Sequence, residues 1–174
     1  MEFAFLTWQI PYVGAVLALL LNRAGKVRDV VAVLAVFGGA LASTLTLQQS
    51  LASREAIHIS YPWIRSLGIT FGVYVDSLAA FMALIVAWLS FLIAVYSLKY
   101  LEGDPGLTRY WFFFDFFVGS MLLLVLADNL VLMFLGWEGT GLASYALIGH
   151  WYTDEDERCV GDIGRRALGM PMWF

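Results

Sequence analysis

Glu138 stands near the middle of a long apolar run, within Phe134-Leu135-Gly136-Trp137-Glu138-Gly139-Thr140-Gly141. An ionisable side chain at bilayer mid-depth costs about 2.5 kcal/mol or more, so such a residue is read first as functional. Loss of solvation penalises the charged form of a carboxyl, which suits a group that takes up and releases a proton. Small residues surround it: Gly136, Gly139, Thr140, Gly141, Ala143 and Ser144. They let helices approach closely, loosen the helical ladder and leave room for water. The pattern points to a proton relay. The plainer alternative is a neutral carboxyl that hydrogen-bonds a neighbouring helix as structural glue.

Three further acids lie in or beside apolar runs. Asp115 is crowded by Phe112, Phe113, Phe114, Phe116 and Phe117. At the rise of an α-helix it falls about 9 Å from the inner end of its segment. It is either the inlet of an inner half-channel for protons or an interfacial acid satisfied by Arg109 or Lys99. Asp128, in Asp128-Asn129, is expected to cap the helix that follows. Asp76 is expected to cap another, with a role at an outer proton exit as the alternative. None of the ten Lys and Arg residues falls mid-membrane; Lys99 is the deepest and can snorkel outward. Glu138 therefore has no buried cation to answer it in this sequence. His58 and His150 lack metal-ligand spacing, no nucleophile triad, phosphate loop or dinucleotide fingerprint occurs, and the lone Cys159 excludes a disulfide framework.

These groups require a membrane around them, and the composition supplies it. Of 174 residues, 61% are hydrophobic and 14% charged, with a mean hydropathy of +0.78. A soluble domain of this length could not hide so much apolar surface, whereas a bilayer can. The net charge of −4 and the absence of a basic stripe exclude a nucleic-acid binder. A soluble enzyme and a disordered chain are excluded as well.

The expected fold is an all-α transmembrane bundle of five spans with a small outer β-hairpin between helices 2 and 3. A span takes about 20 apolar residues. The qualifying segments are predicted at Phe3–Leu21, Val30–Leu47, Leu78–Leu98, Tyr110–Ala127 and Leu130–Ile148, the first bent at Pro11. With the N-terminus outside, the inner segments hold Arg23, Lys26, Arg28, Lys99, Arg109, Arg158, Arg165 and Arg166, and the outer ones only Arg54 and Arg65. Eight basic residues against two predict N-out and C-in. Between helices 2 and 3, Ile57–Tyr61 and Ile69–Val75 alternate apolar and polar residues about Arg65-Ser66-Leu67-Gly68. That period of two predicts a hairpin within 57–75. Residues 1–150 are thus expected to form the bundle. Residues 151–174, with the acidic run Asp154 to Glu157 and several helix breakers, are expected to be an inner-side loop or insertion, the chain stopping short of a sixth span.

Leu126-Ala127-Asp128-Asn129-Leu130 and the run from Leu135-Gly136-Trp137-Glu138-Gly139-Thr140-Gly141 to Gly149 resemble subunit L of proton-translocating NADH:quinone oxidoreductase, respiratory complex I. So do Val75-Asp76-Ser77-Leu78 and Phe117-Val118-Gly119-Ser120-Met121, and the resemblance covers roughly residues 57–153. It implies an antiporter-like module that moves protons and carries no flavin, iron–sulfur or quinone-reducing centre, those lying in partner subunits. It implies other membrane subunits of a complex I-like assembly as partners, in a prokaryotic cell membrane or the inner mitochondrial membrane. It also implies that Glu138 pairs with a lysine on a broken seventh helix. Asp115 departs from the family pattern, which has an uncharged residue there, so its role is not inherited. The alternative is a sodium/proton antiporter subunit without redox coupling.

Overall fold

A computed structural model describes residues 3–53, 56–104 and 106–150. Among them the chain forms α1 (Phe3–Leu20), α2 (Gly25–Ser53), β1 (Ile57–Ile64), β2 (Ile69–Val75), α3 (Ser77–Tyr100), α4 (Leu107–Leu126) and α5 (Leu130–Ile148). All five helices are long and apolar enough to cross a bilayer. The expected bundle of five spans with a hairpin between the second and third is what forms. Residues 151–174, the expected inner-side loop, lie outside the described residues.

The bundle is sequential at its flanks and closed through α1. α1 packs on α2 and α4, α2 also on α3, and α4 on α5, while α5 packs on no other helix to a comparable extent. Lipid offers helices no hydrophobic reason to associate, so close backbone approach carries the packing, and small residues line the seams. α3 turns Ala80, Ala83, Ala87, Ser90, Ala94 and Ser97 inward at helical spacing. Its Trp88 donates from Nε1 to Thr44 Oγ1 of α2 at 3.1 Å. α2 offers Ala32, Val36, Gly39, Ala40 and Ser43. Pro11 removes an N–H from α1, and Gly39 sits against the place this opens. A Cβ on Gly39 would stand 3.1 Å from both Thr7 O and Pro11 Cγ.

The helix ends are set by local chemistry. Asp76 has an extended backbone and its Oδ1 accepts from Ala79 N at 2.7 Å, capping α3 as expected. At the end of the bundle away from the hairpin, Arg28 donates to Asp29 Oδ1 at 2.7 and 2.9 Å and to Thr108 Oγ1 at 2.6 Å, which in turn donates to Asn22 Oδ1 at 2.7 Å. This network binds the start of α2 to the start of α4. α2 is longer than its apolar run, because Gly25 to Asp29 continue the helix into polar surroundings.

β1 and β2 pair antiparallel from Ile57↔Val75 to Pro62↔Thr70, with an irregularity before Ile64↔Ile69. Gly68, at φ +65°, supplies the left-handed residue that closes the turn. Val73 and Val75 are fully buried, and Phe71 packs against Trp8 and Phe5 of α1. The hairpin is therefore seated on the bundle.

Candidate functional site

α5 is a helix with two faces. Leu132, Gly136, Gly139 and Ala143 are buried against α4. The two glycines lie directly on the neighbouring backbone: a Cβ on Gly136 would be 2.7 Å from Leu124 N and 2.9 Å from Ser120 O. One on Gly139 would collide with the Ser120 hydroxyl. The close approach expected of these small residues is thus spent on α4, and α5 runs as one unbroken α-helix through them. Thr140 and Ser144 donate back to the carbonyls of Trp137 and Thr140, both at 2.7 Å.

Glu138 falls on the opposite face. It is exposed, and its side chain has no hydrogen bond or ion pair among the described residues. Trp137, Phe134, Leu135 and Leu142 are exposed around it. The α4–α5 interface fixes the height and direction of the carboxyl.

Asp115 is placed oppositely, at zero exposure inside the bundle. Neither carboxyl oxygen has a hydrogen-bond partner. The basic residues offered for it at the interface are engaged elsewhere. Arg109 donates to the carbonyl of Gly149 at 3.0 Å and to that of His150. Lys99 donates to Glu102 Oε2 at 2.5 Å. That hydrogen bond and the ammonium charge hold the Glu102 carboxyl below the ordinary glutamate range. The reading of Asp115 as an interfacial acid satisfied by Arg109 or Lys99 therefore fails: both cations stay at the helix ends while α4 carries the aspartate inward.

Asp128 differs from its expected role. Asn129 is the cap of α5, its Oδ1 accepting from Val131 N and Leu132 N at 3.0 Å each. One residue earlier, Asp128 ties the turn to the hairpin. Its Oδ2 accepts from Thr70 Oγ1 at 2.8 Å and lies 3.6 Å from His58 Nε2, and its Oδ1 accepts from Asn129 Nδ2 at 2.5 Å. Its own N–H donates to Gly72 O at 3.3 Å, and Asn129 Nδ2 also reaches Thr70 O at 2.7 Å. Gly72 is required here, since a Cβ would press on Asp128 Oδ2 and Ile59 O at 2.5 Å. Thr70 and Gly72 carry no signal in sequence that would assign them to this clasp. Tyr12 likewise escaped notice: its hydroxyl meets Ser120 Oγ at 2.9 Å, joining α1 to α4 just under Gly139.

Five apolar helices, each long enough to cross a bilayer, with a clasped hairpin between the second and third, define a multi-pass membrane protein. Residues 63–111 match the family model described as NADH-ubiquinone oxidoreductase (complex I), chain 5 N-terminus. Residues 127–159 match the one described as NADH:quinone oxidoreductase/Mrp antiporter, TM. NADH-quinone oxidoreductase subunit L of Rickettsia typhi is 36% identical over 84% of this chain and 23% of its own length. That of Mycobacterium tuberculosis is 37% identical over 99% of this chain and 30% of its own. NADH-ubiquinone oxidoreductase chain 5 of Chondrus crispus is 47% identical over 52% and 14%. The chain belongs to this antiporter-like family of subunit L and chain 5 proteins. It spans less than a third of the length of these relatives.

Proposed function

We propose that the chain serves in the membrane arm of a complex I-type respiratory assembly, as part of a subunit that couples electron transfer from NADH or a related donor to quinone with proton translocation. Glu138 is the proton relay. The observation that carries this is its position: mid-helix, outward from the α4 seam, with no partner among the described residues. A carboxyl set there at a cost of about 2.5 kcal/mol or more has a use in exchanging a proton with a group brought to that face. A cation that approaches favours the carboxylate, and one that retreats favours the acid, so movement of the partner drives uptake and release. Flavin, iron–sulfur clusters and the quinone site belong to partner subunits. The balance of basic residues supports an N-terminus on the outer side and the α5 C-terminus on the inner side of a prokaryotic cell membrane.

In the full-length protein within its complex, Glu138→Gln should abolish coupled proton pumping while the complex still assembles. Unchanged translocation in that variant overturns the relay. The family description covering residues 127–159 also names an antiporter, which favours a second reading: a subunit of a sodium/proton antiporter without redox coupling. Purification from native membranes separates them. Co-migration with an NADH- or donor-oxidising, quinone-reducing assembly supports the first reading, and co-migration with small transport subunits alone supports the second.

A further inference from the structure

We infer that Asp115 is a proton-binding residue in its own right, loaded from the inner side of the membrane. Its carboxyl lies where α1, α2 and α4 cross. A Cβ built on Gly14 of α1 would stand 2.6 Å from Asp115 Oδ2 and would collide with Ala35 of α2. The ionisable groups on the elements around it include Tyr12 of α1, Arg109 and Tyr110 of α4, Lys26, Arg28 and Asp29 at the start of α2, and Lys99 at the end of α3. Tyr12 is engaged with Ser120, Arg109 with the carbonyls of Gly149 and His150, Tyr110 with Ser97, Arg28 with Asp29, and Lys99 with Glu102, while Lys26 lines a cavity at the start of α2. None reaches either oxygen of Asp115. A bare carboxylate with neither a donor nor a cation is untenable in such surroundings, so a proton is what neutralises it.

A route for that proton is built into the same face of α4. A cavity of about 570 Å³ opens at the inner end, walled by Lys26, Arg28, Asp29, Lys99, Glu102 and Trp111 among others. Trp111 is one helical turn from Asp115, a rise of about 6 Å. Its buried indole Nε1, like both Asp115 oxygens, has no hydrogen-bond partner. Buried polar atoms left without a protein partner are the groups that internal waters satisfy. Water in contact with Trp111 Nε1–H carries a proton from the cavity to Asp115. On release, the Oδ–H bond breaks and a water oxygen accepts the proton. Farther outward on α4, the Tyr12–Ser120 hydroxyl pair continues the polar line toward Gly139 and α5. The inference rests on the proposed orientation and not on the role of Glu138.

The test is infrared spectroscopy of the full-length protein in proteoliposomes. A protonated-carboxyl stretch is expected near neutral pH that moves when the protein contains isotope-labelled aspartate, a readout that needs no substitution. It should shift on transfer into deuterium oxide, vanish in Asp115→Asn, persist in Glu138→Gln, and exchange more slowly in Trp111→Phe, which lies on the inner route. Absence of an aspartate-dependent band overturns the proposal. So does a band that survives Asp115→Asn, never exchanges, or exchanges at the wild-type rate in Trp111→Phe. Loss of pumping in Glu138→Gln bears on the relay alone, so the two ideas fail separately.

Discussion

Replacing Gly136 with alanine tests the idea that the α4–α5 seam is what aims Glu138. The added Cβ would meet Leu124 N, Leu124 Cα and Ser120 O at 2.7, 2.9 and 2.9 Å, where ordinary contact begins at 3.4 Å. All three are backbone atoms of a continuous helix and cannot swing aside as a side-chain tip would. The helices must therefore part by about 0.5–0.7 Å at this point. Overpacking of this kind costs about 1–3 kcal/mol, and a gap of about 0.5–1 Å forfeits a quarter to a half of each dispersion contact along the seam. In water an alanine would recover up to about 1 kcal/mol of helix propensity, but α5 is already helical in a bilayer whether or not it is packed, so little of that gain applies. A net loss of about 1–3 kcal/mol is expected. It should be read as a lower midpoint in denaturing-detergent unfolding of the full-length protein, accompanied by reduced proton translocation. Gly141→Ala, at a position that is not buried against α4, serves as the control and should be neutral. Wild-type stability in Gly136→Ala would refute the claim that backbone contact at this glycine positions the carboxyl.

The hairpin clasp and the helix ends make further predictions. Asp128→Ala strips Thr70 and Asn129 of their acceptor, and should cost about 1–3 kcal/mol and speed amide exchange in β2, measured by hydrogen–deuterium exchange mass spectrometry. Asn129→Ala removes the α5 cap and should cost about 0.5–2 kcal/mol, read as fraying of the first turn by the same method. The Glu102 carboxyl, lowered by Lys99, should titrate below the ordinary glutamate range in an NMR pH series. Because the folded value is the depressed one, the contact is intact at neutral pH and is lost as pH falls through that value. Lys99→Met should raise the Glu102 titration toward the ordinary glutamate range.

The spans were legible because a bilayer demands unbroken apolar length, and α5 begins and ends where its run does, at Leu130 and Ile148. α2 shows what hydropathy does not report: Gly25 to Asp29 and Gln48 to Ser53 remain helical outside the apolar stretch, since the backbone pattern outlasts the hydrocarbon. The hairpin was legible from its period of two and from Gly68. The clasp was not, because it joins Thr70 to Asp128 across a separation no local pattern records. In Asp128-Asn129 both residues are able caps, and only the seated hairpin decides which one is drawn away. Glu138 announced itself by charge in an apolar run, but the direction it faces depended on Gly136 and Gly139 finding α4. Asp115 was visible as an acid among phenylalanines. Its isolation came from Gly14, which lies about a hundred residues away in sequence and offers no side chain to suggest a partner.

The clasp between Thr70 and Asp128 also bears on how the chain is inserted during synthesis. Thr70 is made before α3, and Asp128 follows only after α3 and α4, each long and apolar enough to cross the bilayer. If either helix failed to cross, the aspartate would emerge on the opposite side and the hairpin would remain unlatched. Closure of the clasp is thus a parity check on biogenesis, met when α3 and α4 together have crossed the membrane an even number of times and broken when only one of them has.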